Sequence, residues 1–281
     1  MPRDTDALTS ATLKHLRERW WNGDFADFLR ETLQPKAGRR ILDVGCGVGT
    51  AEVSLGRLRI TQVQLFGMDF VLDYVRQASM ATKAHNIRAG FMCGDARRLP
   101  FAPAAFDSTF CVAVLQHVRD LTAAIHEFAR VTKPGGRVVV VEPDNGARYW
   151  YSSLEMGIRA CELGTRFFTA LAGARGDATD LAVGPKISAI FARSGIEPTA
   201  VRLFPVTRTM LGAPPAAVWE TRKEAVRMAI QKAPDESLRR IGTDYLKLLD
   251  KYAEEAAGAG SSFVEIQNTM LFATVGQRID D

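Results

Sequence analysis

Cysteine is scarce in this 281-residue chain, and what there is lies scattered: Cys46, Cys93, Cys111 and Cys161, with no C-x-x-C pair. That spacing excludes the common zinc knuckles and gives no basis for a disulfide framework. Three of the four sit in apolar runs that read as buried strands or strand ends. An excess of one charge is lacking too. The 36 Lys and Arg are nearly balanced by 32 Asp and Glu and interleaved with them, so charge alone calls for neither nucleic acid nor a membrane surface. No stretch reaches eighteen uninterrupted apolar residues, and the opening MPRDTDALTSATLKHLRERWW lacks the apolar core of a secretory signal. The reading is a cytoplasmic, reducing setting with no membrane span. No repeat, low-complexity tract or long linker appears. With 47% hydrophobic residues the chain therefore reads as a single domain, 1–281, with a sizeable core.

What is present is an alternation of short apolar runs and helix-like segments. Residues 8–33 carry apolar positions at helical spacing (Leu13, Leu16, Trp20, then Phe25, Phe28, Leu29), broken at Gly23 and ended before Pro35. Then come ILDV as a strand, Thr50 to Leu58 as a helix, VQLFGMD as a strand and Val71 to Lys83 as a helix. IRAGFMC, FDSTFCV, a helix over Leu121 to Val131 and RVVVVE follow, the last after a Lys133-Pro134-Gly135-Gly136 turn. Strands separated by single helices imply parallel βαβ units and a doubly wound α/β sheet. After Glu142 the rhythm breaks. Residues 145–175 read as an aromatic-rich, helix-favouring segment, followed by a helix over Pro185 to Ser194 and the strand VRLFPVT. A second helical insertion spans 214–258, and NTMLFATVG ends the chain as a strand.

The chemistry gathers first in ILDVGCGVGT. Gly45, Gly47 and Gly49 are spaced G-x-G-x-G, one residue short of the dinucleotide fingerprint. Glycines here let the chain turn sharply and bring its backbone against a ligand. Asp43 just before the loop would repel a pyrophosphate but can help hold an ammonium, which favours a cationic ligand over a dinucleotide. Asp69, twenty residues after Gly49, can take both ribose hydroxyls of a nucleoside. In GDARRLPF, Asp95 can reach an adenine amino group, and the amide of Ala96 a ring nitrogen.

LDVGCGVGT, GMDF, GDARRLPF, FDSTFCVAVLQHVRD and RVTKPGGRVVVVE occur in the order found in class I S-adenosylmethionine-dependent methyltransferases. The chain resembles the small-molecule branch that includes the ubiquinone and menaquinone biosynthesis enzymes, closely over 38–145 and more loosely over Gly184 to Val206. The resemblance implies a Rossmann-like, doubly wound, seven-stranded sheet whose last strand is antiparallel and interior. Around it the residue pattern reads as a helical cap at 1–34, a cofactor-binding core at 38–145, cap insertions at 146–195 and 214–258, and a final strand at 267–276. Gly45, Cys46, Gly47 and Gly49 would wrap the methionine part of S-adenosylmethionine, with Asp43 beneath. Asp69 would bind the ribose, Phe70 would pack on the adenine, and Asp95 and Ala96 would read its edge. Cys111, Val112 and Gln116 would complete the methionine end. The reaction implied is methyl transfer to an O, N or C atom of a small, partly apolar or aromatic metabolite, releasing S-adenosylhomocysteine. A homodimer is compatible with this reading.

A protein or RNA methyltransferase and a non-catalytic cofactor-binding protein are the alternatives. CVAVLQHV after the fourth strand lacks the Asn-Pro-Pro-Tyr type of motif, which counts against the former. His117 in VLQHV lies where cofactor and acceptor should meet. It is the candidate general base, or else an imidazole that supports its loop. Glu142 and Asp144 would orient a substrate or cap the next helix. Asp107 reads as a backbone-satisfying acid, Lys133 as solvated and His126 as surface. Trp20 and Trp21, with Tyr149, Trp150 and Tyr151, are expected to form a lid. No His, Asp or Glu cluster has metal-ligand spacing.

Overall fold

A computed structural model describes residues 20–21, 23–57, 63–174 and 182–279. The chain divides into two compact units: a sheet unit from 16–146, 180–205 and 270–281, and a helical unit that includes 147–179 and 206–269.

In the sheet unit, β1 (Arg40–Val44) is an apolar run whose last four residues are buried, as a central parallel strand covered on both faces requires. After α1 (Gly23–Leu33) and β1 come α2 (Thr50–Arg57), β2 (Gln64–Asp69), α3 (Leu72–Ala84), β3 (Ala89–Cys93), β4 (Phe106–Val112), α4 (Leu121–Val131) and β5 (Thr132–Ser152). Strands β1–β2, β2–β3, β1–β4 and β4–β5 pair in parallel. With β6 (Ile196–Leu211) and β7 (Val264–Arg278) the full order is β3-β2-β1-β4-β5-β7-β6, a seven-stranded mixed sheet with the last strand antiparallel and interior. The order reverses at β1 and β4, and the crevice at the carboxyl ends of those strands is where such sheets bind ligands. Helix α4 shows how one layer is held. Asp120 caps its first turn by accepting the Ala123 N–H at 2.9 Å, and Ala124, Ile125, Phe128 and Val131 form its buried face. That face packs with Val138 and Val140 of β5 and Phe191 of α6 (Ile187–Ala192). Helix α1 buries Phe25 and Phe28 against Phe204 of β6 (Ile196–Leu211), with ring centroids 5.4 and 5.0 Å apart.

The helical unit contains α5 (Glu155–Ala174), α7 (Ala216–Gln231) and α8 (Glu236–Ala259). Gly157 and Gly164, two turns apart on α5, face Tyr252 and Tyr245 of α8. A Cβ at either glycine would lie 2.6 Å from the tyrosine ring, so the missing side chains set the close approach of the two helices. A buried network ties α7 and α8 to one carboxylate: Tyr252 donates to Glu265 at 2.8 Å, and Arg222, stacked on the Trp219 ring at 4.9 Å, donates to the same carboxylate at 2.9 Å. Glu265 lies on β7 (Val264–Arg278). Among the described residues no helix is long and apolar enough to cross a membrane.

Several expectations need correction. Residues 147–152 are not helical: β5 runs through Ala147 to Ser152, where ARYWYS alternates outward Tyr149 and Tyr151 with Trp150 and Ser152. Aromatic content outweighs the apparent helical spacing there. The insertion 214–258 is two helices, because Pro234 ends the first and Asp235 caps the second by accepting the Leu238 N–H at 2.8 Å. Strands β6 and β7 are longer than VRLFPVT and NTMLFATVG. The Lys133-to-Gly136 turn lies inside β5 as a bulge: Thr132 pairs with Phe106 and Arg137 with Ser108, with Gly135 at φ +70. Lys133 is not simply solvated, since its ammonium lies 2.8 Å from Asp107. Asp107 also accepts the Arg40 N–H, and although burial opposes it, these two partners hold its carboxyl below the ordinary value. Leu13, Leu16 and Leu58 lie outside the described residues.

Candidate functional site

The loop after β1 uses all three glycines in the left-handed region, at φ +80 for Gly45, +54 for Gly47 and +83 for Gly49. Two of them are also required by contact. A Cβ on Gly45 would overlap the side chain of Val114, and one on Gly49 would lie 3.0 Å from the Ala78 backbone. The first contact seats the β1 loop on the loop after β4; the second seats it on α3. Gly45 and Cys46 donate to the Met68 carbonyl at 2.6 and 2.9 Å, fixing the loop to the end of β2.

Asp69, at that strand end, accepts the Gly47 N–H on one oxygen and the Val71 N–H on the other, both at 2.9 Å. One bond on each oxygen uses half of the carboxylate's acceptor capacity. The other half is open to a pair of vicinal hydroxyls. Asp43 is buried below the loop, and Cys46 is buried beside it. Burial first, then the carboxyls of Glu52, Asp43 and Asp69, push the Cys46 thiol well up, so it is an un-ionised packing group.

Glu52 was not singled out by sequence. Its carboxyl is buried beneath the loop, and neither oxygen has a hydrogen-bond partner among the described residues. Gly67 makes room for it, since a Cβ there would lie 2.6 Å from Glu52 Oε1. Burial, with Asp69 adding to it, pushes the Glu52 carboxyl up to about 8. No motif marks it. The only signal was an acid on the inner face of a short helix.

Beyond β2 and β3, Phe70 exposes 65% of its surface, leaving a ring face free to stack. Asp95 opens a tight turn in which Ala96 is buried and the Arg98 N–H donates to the Asp95 carbonyl at 2.9 Å. Cys93 is exposed, contrary to its reading as a buried strand end.

After β4 the chain passes through Ala113 at φ +56, a left-handed position rare for a residue with a side chain, into a short turn, Leu115–His117. Cys111 is fully buried in the core, so what it can offer a ligand is backbone. Glu142, fully buried at the end of the core part of β5, caps this turn instead of a following helix or a substrate. Its Oε1 accepts the N–H of Val114 and Leu115 at 2.7 and 2.6 Å, and its Oε2 that of Gln116 at 3.3 Å. Asp144 accepts the Gly146 N–H, and Asn145 donates to the Gln116 side chain at 3.4 Å. His117 is exposed on the same turn, and its own N–H donates to the Val114 carbonyl. His126 is exposed as read. Trp21 packs on Phe25 in the sheet unit, whereas Trp150 lies under Arg222 in the helical unit.

The site thus comprises a glycine cradle, three carboxyls around it, an exposed aromatic ring and an acidic turn at the next strand. Among the described residues no group of three or more His, Cys, Asp or Glu is placed to hold a metal ion.

Comparison with known proteins agrees with this arrangement. Residues 42–140 match the methyltransferase domain family. Over 104 residues the chain is 38% identical to a demethylmenaquinone methyltransferase of Deinococcus radiodurans, covering 37% of this chain and 43% of that protein. It is 30% identical over 135 residues to a ubiquinone biosynthesis O-methyltransferase of Xanthomonas euvesicatoria, covering 44% and 55%. The chain therefore spans about half the length of these relatives. Its fold is that of the [4+2]-cyclase SpnF, with a TM-score of 0.51 at 18% identity over 99% of this chain and 86% of that one. A fold that serves a cyclase does not by itself set the reaction. Residues 42–140 are thus similar to a methyltransferase domain, and the sheet around them has the fold of the Rossmann-like methyltransferases.

Proposed function

We propose that this protein binds S-adenosylmethionine at the carboxyl end of the sheet and transfers its methyl group to a small, partly apolar or aromatic molecule. The observation that carries this reading is the joint use of Asp69, which ties the glycine loop to β2 through Gly47 and keeps one acceptor site on each oxygen for a ribose. The residues fit the cofactor: Cβ atoms would fill the cradle at Gly45 and Gly49, and Asp43 supplies negative charge near a sulfonium and an ammonium. Phe70 offers a ring to the adenine, and Asp95 with Ala96 an edge. The names of the relatives support a small, quinone-like acceptor.

When bound, the cofactor supplies an electrophilic methyl on a cationic sulfur, and displacement neutralises that charge. The protein's part is to align nucleophile and methyl, an entropic gain that reaches about 7 to 11 kcal/mol in ideal cases. The Glu142-capped turn carries Gln116 and His117, and His117 is the candidate base for a hydroxyl acceptor. Incubation with methyl-labelled S-adenosylmethionine and a panel of phenols, hydroquinones and amines tests the proposal. Labelled product with stoichiometric S-adenosylhomocysteine is expected. Cofactor binding with no turnover on any acceptor would favour the non-catalytic alternative.

A further inference from the structure

The turn that carries Asp95 folds its own arginine back onto the carboxylate. The Arg97 N–H donates to Asp95 Oδ1 at 2.9 Å, and Arg97 Nε lies 3.1 Å from Oδ1 and 3.2 Å from Oδ2. Arg97 Nη2 lies 2.6 Å from Oδ2. A carboxylate offers about four acceptor sites, two on each oxygen. Three N–H groups make these four contacts, the Nε one shared between the two oxygens, and together they occupy both oxygens of Asp95. Asp69 differs, with one amide on each oxygen. The adenine amino group assigned to Asp95 is a neutral donor, whereas the guanidinium bond is charge-assisted and about twice as strong. A nucleoside can reach Asp95 only by displacing the guanidinium.

We propose that Arg97 competes with the 6-amino group of the base for Asp95, and so sets both the affinity for the nucleoside and the selectivity for adenine. The inference rests on the cofactor reading above and on Asp95 facing the adenine. In the ligand-free protein Arg97 occupies the carboxylate; on binding it swings into solvent. The side chains are 40% and 33% exposed, so the guanidinium has water to move into. The same exposure keeps the competition modest, since exposed ion pairs contribute little, equivalent to about a two- to fivefold change in affinity. Salt weakens the ion pair and leaves the hydrogen bond of a neutral amine largely unaffected. Affinity for the nucleoside should therefore rise with ionic strength. Selectivity follows as well. While Arg97 holds Asp95, a base with a 6-oxo group loses less relative to adenine than it would against a bare carboxylate.

Calorimetry with S-adenosylhomocysteine and its hypoxanthine analogue, S-inosylhomocysteine, on the full-length protein, Arg97→Ala and Arg97→Gln tests this. At low salt both variants should bind S-adenosylhomocysteine about two- to fivefold more tightly than the parent. That gap should close at high salt, and both variants should prefer adenine over hypoxanthine more strongly. Equal affinities, equal salt response and equal preference would overturn the competition while leaving the cofactor reading intact. Weaker binding by both variants would also overturn it, because Arg97 would then be a ligand contact. No binding of S-adenosylhomocysteine by the parent or either variant would overturn the cofactor reading and this inference together.

Discussion

Glu142 and Leu115, 27 residues apart, are joined by a 2.6 Å hydrogen bond from the Leu115 amide to the Glu142 carboxyl. Through it and its neighbours a buried side chain at the end of one strand sets the shape of the loop after the adjacent strand, the loop that carries Gln116 and His117. Val114 of that loop fills the space over Gly45. Glu142, the β4 loop and the glycine loop therefore form one mechanical unit.

Removing the cap should be felt as both stability and binding. Glu142→Ala leaves the Val114 and Leu115 amides without an acceptor, each unsatisfied amide costing about 1 to 3 kcal/mol. The expected loss is roughly 2 to 6 kcal/mol in denaturant unfolding, with weaker S-adenosylhomocysteine binding. Glu142→Gln, which keeps one acceptor oxygen, should lose less of both. An alanine variant as stable as the parent would show that the loop does not depend on this cap.

Glu52 predicts a pH dependence. Its carboxyl sits at about 8 in the folded protein against an ordinary 4.5, so the folded state keeps a proton that the unfolded chain releases above the lower value. Stability should then fall as pH rises from about 4.5 to about 8, and this contribution should change no further above that. Asp107 and Glu127, both held below their ordinary values, act in the opposite sense at lower pH, so the comparison with a variant matters. Melting temperatures of Glu52→Gln should gain on the parent steadily across that window. A constant difference between the two proteins would mean that Glu52 is ionised in the fold.

The sequence made the site legible where a residue type is required by backbone geometry or by ligand chemistry. Glycines 45, 47 and 49 must adopt positive φ, and Asp69 closes the second strand, so both appear as motif. Glu142 was visible but its direction was not, because the amides it caps lie on a different strand connection. Neither Glu52 nor Arg97 is marked by a motif: the first depends on space left by Gly67, the second on a turn that bends a side chain back upon Asp95. The strand at 147–152 was hidden because ARYWYS fits either periodicity over so short a span.

His117 is exposed on a turn that Glu142 caps, so its role can be tested apart from that cap. If it takes the proton from a hydroxyl acceptor, His117→Ala should keep S-adenosylhomocysteine affinity near the parent value. It should also lower kcat by a factor of roughly 10² to 10⁴. A fall of less than about tenfold would remove the base role and leave alignment as the protein's contribution.

The central claim is that the G-x-G-x-G loop with Asp69 holds S-adenosylmethionine and not a dinucleotide. Titration calorimetry of the ligand-free protein with S-adenosylhomocysteine and, separately, with NAD tests it most directly. The account predicts saturable one-to-one binding of S-adenosylhomocysteine and no saturable heat with NAD. Binding of NAD as tight as that of S-adenosylhomocysteine, or no binding of the latter, would contradict it.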